Sequence, residues 1–257
     1  MIHYEDAPVN HPTIDLGCGT FCLLNYDSVI SSAIAIVVTI LVAILIARSL
    51  KPNHPGRPQA LAEWVFAYVR RTATENAPDA PFVVPLAATL GFYILIANYL
   101  DFFPITLLPN VHPANTDVNQ TAAMALVVFI VVNAYTLRIR GVRGYLHHLT
   151  RPFDLPIWAR VFFTALNIIE EIVKPVTLAF RLFGNLLAGI LMVFVITLLL
   201  GQLPYVGSWL AGPVAVAIWK LFDVLFIGLI QAFILMLLTI VYFGLAREGL
   251  EEKHTSH

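Results

Sequence analysis

Apolar residues run through this chain in five stretches at least as long as a bilayer crossing, with polar residues gathered between them. Residues 28–47, 82–100 and 118–137 hold no charged side chain. Each is close to the ~20 residues that one helical crossing needs, and each is predicted to be a simple span. The last two stretches, 161–200 and 212–246, are much longer. As helices they would measure about 50–60 Å against a hydrocarbon core of about 30 Å, so they must tilt steeply or bend. Gly201, Pro204, Gly207 and Gly212 mark a turn between them, and the pattern predicts a long antiparallel hairpin.

Between the first two spans the pattern changes. Leu61, Val65, Tyr68, Val69 and Thr72 recur at helical spacing opposite Gln59, Glu63 and Arg70, with Pro58 placed to start a helix. Residues 58–76 are therefore predicted to form a helix lying on the cytoplasmic membrane surface. The expected fold is an all-α polytopic membrane protein, a single membrane domain over residues 1–257. It has an outside tail at 1–27, about five transmembrane helices that end in the tilted hairpin, and a cytoplasmic tail at 247–257. No internal repeat, low-complexity tract or soluble domain is visible.

Composition agrees: 59% of the 257 residues are hydrophobic, 12% are charged and the mean hydropathy is +0.80, which excludes an ordinary soluble domain. The net charge of -1 supplies no basic footprint for nucleic acid. Distribution of charge matters more. Arg48, Lys51, Arg57, Arg70 and Arg71 follow the first span, Arg138, Arg140, Arg143, Arg151 and Arg160 follow the third, and Arg247 and Lys253 follow the last. Residues 1–27, 101–117 and 201–212 carry no Lys or Arg. The positive-inside rule then puts the N-terminus outside and the C-terminus in the cytoplasm, in keeping with an odd number of crossings. The absence of a basic region at the start predicts a mature, uncleaved N-terminus. Cys18 and Cys22, the only cysteines, are expected outside, where a disulfide and two free thiols are both chemically permitted.

Three basic residues remain, Lys174, Arg181 and Lys220, and all lie within the long hairpin. Arg181 is the most demanding, because a guanidinium is not neutralised at accessible pH and its insertion at mid-bilayer costs at least about 2.5–3.5 kcal/mol. Glu170, Lys174, Thr177, Arg181, Asn185 and Ala188 step by three or four residues, which places them on one helix face. If the hairpin tip is near Val206, Gln231 lies as far along the returning helix as Arg181 does along the first. An amide at that depth is a suitable neutral partner for the guanidinium. Glu170, Glu171 and Lys174 fall toward the cytoplasm, and Lys220 and Asp223 toward the outside. Structural roles stand beside functional ones: Glu170 and Lys174 form an i, i+4 pair, Lys220 can snorkel or pair with Asp223, and Gln231 can be an interhelical hydrogen bond. Gly184 and Gly189, with Ala188, read as close-packing positions.

At these residues the chain resembles the a subunit of the membrane sector of F-type ATP synthases. The resemblance is strongest in Lys-Pro-Val-Thr-Leu-Ala-Phe-Arg-Leu-Phe-Gly-Asn-Leu-Leu-Ala-Gly at 174–189 and in Gln-Ala-Phe-Ile-Leu-Met-Leu-Leu-Thr-Ile-Val-Tyr at 231–242. Asp101 with Pro104, and Asp117-Val118-Asn119-Gln120-Thr121, are similar to family segments too. The resemblance implies a stator subunit in a bacterial plasma membrane, carrying protons or sodium through two offset half-channels to and from the carboxylates of a rotor ring of c subunits. It also implies peripheral-stalk b subunits, the remaining synthase subunits and membrane lipid as partners. It implies no cofactor, no metal and no catalytic site of its own. Arg181 matches the family's essential arginine, and Asn185 and Gln231 match its polar companions. Many relatives carry an acid where Ile190 stands here and a histidine where Val224 stands. Asp223 and Lys220 are then the nearest groups for the outer half-channel, with Asp101 and Asp117 at its mouth and Glu170, Glu171 and Lys174 on the inner side.

Rival readings fit less well. An ion-coupled secondary transporter, the principal alternative, would favour interrupted helices in two related halves. A haem or quinone subunit would want histidines within spans, whereas His147 and His148 fall in a connection and there is no Cys-x-x-Cys-His. A structural scaffold would leave Arg181 unexplained.

Overall fold

The computed structural model describes residues 13–15, 23–51, 56–100, 118–150, 157–202 and 210–247. A ribbon of two antiparallel strands, β1 (Thr13–Asp15) and β2 (Leu23–Asn25), precedes the helices. Helix α1 is Tyr26–Ser49, α2 Arg57–Asn76, α3 Val83–Leu100, α4 Val118–Thr150 and α5 Ile157–Gly201. Helix α6 (Gly212–Phe222) runs through a π-turn at Asp223–Ile227 into α7 (Gly228–Arg247). Among the described residues, five helical stretches are long and apolar enough to cross a membrane: Ser28–Ser49, Val83–Leu100, Val118–Tyr145, Val161–Gly201 and Gly212–Arg247. The protein is thus the all-α polytopic membrane protein that its hydrophobic pattern predicts.

The outward faces are those of a chain solvated by lipid. Leu45, Val161, Leu199 and Ile218 are each about two-thirds exposed, and apolar surface on that scale is a liability in water. Short polar side chains within the spans return their hydrogen bonds to their own helix. Thr39 donates to the Ala35 carbonyl, Thr136 to Val132, Thr197 to Val193 and Thr239 to Leu235, which satisfies each hydroxyl where water is absent. Helix α4 departs from the predicted span. It continues thirteen residues beyond residue 137 but is broken at Gly141, whose φ of 67° is a conformation that a residue with a Cβ rarely adopts.

The chain divides into two compact units. The first comprises residues 1–49, 92–120 and 183–231, and the second residues 50–91, 121–182 and 232–257. In the second, small residues let helices approach closely: Val69 and Ala73 of α2, Ala80, Val83 and Ala87 around the start of α3, and Ile240, Phe243 and Ala246 of α7 form one core. Phe243 and Tyr135 of this core meet the exposed Phe82 edge to face, with ring centroids 5.3–5.6 Å apart. Arg247 closes the end of α7 through an ion pair with Asp79 at 2.7 Å, and Arg140 Nε donates to the Ala246 carbonyl at 2.9 Å. In the first unit, Gln120 Nε2 donates to the Tyr93 hydroxyl at 3.1 Å, and the later part of α5 packs against α6 and the start of α7.

Candidate functional site

The polar residues of α5 fall into two groups, one in each unit. In the first unit, Asn185 Nδ2 donates to Gln231 Oε1 at 2.6 Å. Asn185 is exposed, whereas Gln231 is only 4% exposed and its Nε2 has no hydrogen-bond partner. The buried amide therefore fixes the exposed one. One turn along α5, Gly189 is buried, and a Cβ built on it would lie 2.6 Å from Asp223 Oδ2. The carboxylate rests against the bare backbone of α5 at that point. Trp219 Nε1 also reaches this segment, 3.4 Å from the Gly189 carbonyl.

The π-turn explains how Asp223 and Gln231 come to face the same neighbour. On a regular helix two positions eight apart are rotated by about 80°, and one wide turn removes about 100°, leaving about 20°. The wide turn is closed by the Gly228 amide, which donates to the Asp223 carbonyl. On another side of the turn, a Cβ at Gly228 would sit 3.2 Å from Asn98 Cβ of α3, so glycine admits the buried Asn98. Lys220 is half-buried in the last turn of α6.

In the second unit a cavity of about 200 Å³ opens among α4, α5 and α7. Its polar lining includes Asn133, Tyr145, Asn167, Glu170, Glu171 and Lys174. Lys174 Nζ bonds Glu171 at 2.6 Å and lies 3.4 Å from Glu170. The sequence pairs Lys174 with Glu170; the structure gives the shorter bond to Glu171, at i, i+3, and leaves the Glu170 side chain 63% exposed. Pro175 follows, and lacking an N–H it leaves the Glu171 carbonyl without its helical donor beside the cavity. The Tyr242 hydroxyl donates to the Lys174 carbonyl, three residues further along, at 3.5 Å. The break at Gly141 turns the end of α4 back, so that the Tyr145 hydroxyl donates to Asn133 Oδ1 at 2.8 Å.

Arg181 belongs to the second unit's part of α5 and is half-buried. Among the described residues its guanidinium has no hydrogen bond or ion pair, and the Gln231 oxygen accepts from Asn185. Asp101, Asp117, Cys18, Cys22 and the predicted tip near Val206 lie outside the described residues. Sequence reasoning missed Asn98, Asn133, Asn167, Tyr145, Trp219 and Tyr242. Intramembrane amides at 98, 133 and 167 were a usable signal; the aromatic residues sit among too many others to stand out. No group of three or more His, Cys, Asp or Glu side chains among the described residues is arranged to hold a metal ion.

Comparison with known proteins matches residues 29–244 to the family described as ATP synthase A chain. ATP synthase subunit a of Acidothermus cellulolyticus is 35% identical over 229 residues, covering 86% of this chain and 77% of that protein. The proteins of the same name from Mycobacterium ulcerans and Mycobacterium marinum are each 37% identical over 242 residues, covering 90% of both chains.

Proposed function

This chain belongs to the ATP synthase A chain family, and from that premise we propose that it carries ions to and from a rotor ring through two offset half-pathways, between which a ring site must pass Arg181. Membership makes it a membrane-sector subunit that sits with other ATP synthase subunits. The finer reading takes the cavity beside Glu170, Glu171 and Lys174 as the cytoplasmic half-pathway. Asp223, with Lys220, Asn98 and the Asn185–Gln231 pair, serves the outer one, joined at its mouth by Asp101 and Asp117. The ring of c subunits is the moving partner and the b subunits of the stalk the fixed one. The membrane is the plasma membrane of a bacterium, with the N-terminus outside and the C-terminus in the cytoplasm.

The observation that carries this reading is Arg181: a permanent charge on an apolar helix, without a counter-charge among the described residues of its own chain. A counter-charge supplied from outside the chain resolves that cost. A ring carboxylate can face lipid only when neutral, since a bare charge there is too expensive, and beside a guanidinium it is held as an anion. A ring site must then release its ion on one side, pass Arg181 ionised and reload on the other. Arginine does not surrender its own proton, so it also blocks direct leakage between the pathways. Each charge carried across is worth ~2.3 kcal/mol per 100 mV, and several such steps supply the work of synthesis.

Arg181→Ala in the assembled complex tests this. ATP-driven pumping in inverted vesicles should vanish, and vesicles stripped of the catalytic head should leak ions. Arg181→Lys should also fail to couple, because an ammonium lacks the planar fork and loses its proton more readily when desolvated. Normal ATP synthesis by assembled Arg181→Ala membranes would sink the reading.

A further inference from the structure

The contact between Gly189 and Asp223 does more than pack two helices. A Cβ at Gly189 would meet Oδ2 at 2.6 Å, the carboxyl carbon at 3.2 Å and Oδ1 at 3.4 Å. The whole carboxylate therefore occupies the space that a methyl group would fill. Elsewhere, Gly184 and Gly201 have nothing within 4 Å, Gly91 faces Met236, Gly228 faces Asn98 and Gly244 faces Asn76. The same carbonyl segment is approached by the Trp219 indole, and the π-turn rotates Asp223 toward α5. An aspartate has two side-chain torsions, so what the neighbouring helix leaves open limits where its carboxylate can lie.

We propose that Gly189 is a positioning residue for ion transfer: its missing side chain is the seat that holds the Asp223 carboxylate against α5, one turn from the exposed Asn185. The inference rests on the outer role given to Asp223 above and adds a determinant on the facing helix. Because the atom that an alanine would meet is the far end of a side chain, Gly189→Ala displaces the carboxylate by rotation and leaves the helix pair together. The polar and charged groups nearest to it along the packed helices are Lys220 and Trp219 on α6, Asn185 one turn away on α5 and Gln231 on α7, with Asn98 of α3 against Gly228.

The test is a double-mutant cycle in the intact synthase, reading ATP-driven pumping in inverted vesicles across a range of pH in the vesicle lumen, which corresponds to the outer side. Gly189→Ala should assemble, pump more slowly by at least about tenfold and show the same altered lumenal pH profile as Asp223→Asn. In the Asp223→Asn background, adding Gly189→Ala should change neither rate nor profile. Gly201→Ala, which meets nothing, should behave as the parent. Additive losses, or a Gly189→Ala enzyme with the parent's pH profile, would overturn the seat. An Asp223→Asn enzyme with normal pumping would instead remove the outer role of Asp223. Should Gly189→Ala not assemble, Gly189→Ala with Asp223→Ala removes the collision and should assemble as Asp223→Ala does; continued failure would also overturn the seat.

Discussion

Around Lys174 the protein holds one cation and two carboxylates beside an open cavity. Around Asn185 it pairs two amides with each other and seats one carboxylate against helix backbone. In the first arrangement each charge has an alternative: if Glu171 is lost, Glu170 is already 3.4 Å from the ammonium, and the cavity has room for water. In the second the buried Gln231 has one bond to Asn185, and the carboxylate has a seat shaped by a single absent methyl group. Redundancy tolerates substitution; a one-to-one fit does not. The contrast predicts where mutations in α5 and its partners will be costly.

Outside Arg181 and the Gly189–Asp223 seat, the largest effect is expected at Gln231. Gln231→Leu keeps the volume but removes the acceptor that orients Asn185, and pumping by assembled complexes should fall by about tenfold, equivalent to about 1.4 kcal/mol. Equal activity of Gln231→Leu and parent complexes would erase the distinction between the two arrangements. Next in size is Lys174→Met, which leaves two adjacent carboxylates without their cation and should slow pumping by roughly fivefold. Glu171→Gln should cost less, about twofold, because Glu170 remains to pair. If Glu171→Gln proves as damaging as Lys174→Met, the triad is not redundant and the comparison fails on that side.

Smaller again is Tyr145→Phe, which removes the hydrogen bond to Asn133 that holds the folded-back end of α4 over the cavity. One neutral hydrogen bond is worth about 1 kcal/mol. Pumping should change by no more than a few-fold, with faster hydrogen exchange after Gly141 as the direct readout. The smallest effect is expected for Arg247→Ala. Its ion pair reaches a largely exposed Asp79, and such pairs contribute at most about 1 kcal/mol. The thermal midpoint of the purified complex should barely move, and pumping should be unchanged.

Much of this protein was legible in order along the chain. The apolar runs give the five spans because burial in lipid demands uninterrupted apolar helices, and the three- and four-residue steps from Glu170 to Asn185 give the polar face because helical geometry is local. Gln231 was legible as an interhelical hydrogen bond, and Asn185 is the donor to it. The i, i+4 pair of Glu170 with Lys174 was legible and is present at 3.4 Å, whereas the shorter i, i+3 bond to Glu171 was not read, since both spacings are within reach of a lysine. Gly189 read as a close-packing glycine, and nothing in its neighbours signals a carboxylate arriving from a segment more than thirty residues away.

The sequence by itself therefore determined the class of protein, the spans and the residues that carry charge into the membrane, because each depends on composition or on spacing within one helix. Only the tertiary structure decided what those residues touch. The π-turn that swings Asp223 toward α5, the glycine that receives it and the bend at Gly141 that brings Tyr145 to Asn133 all join positions distant in the chain. Their free energies lie in contacts between helices, which the periodicity of a single helix does not encode.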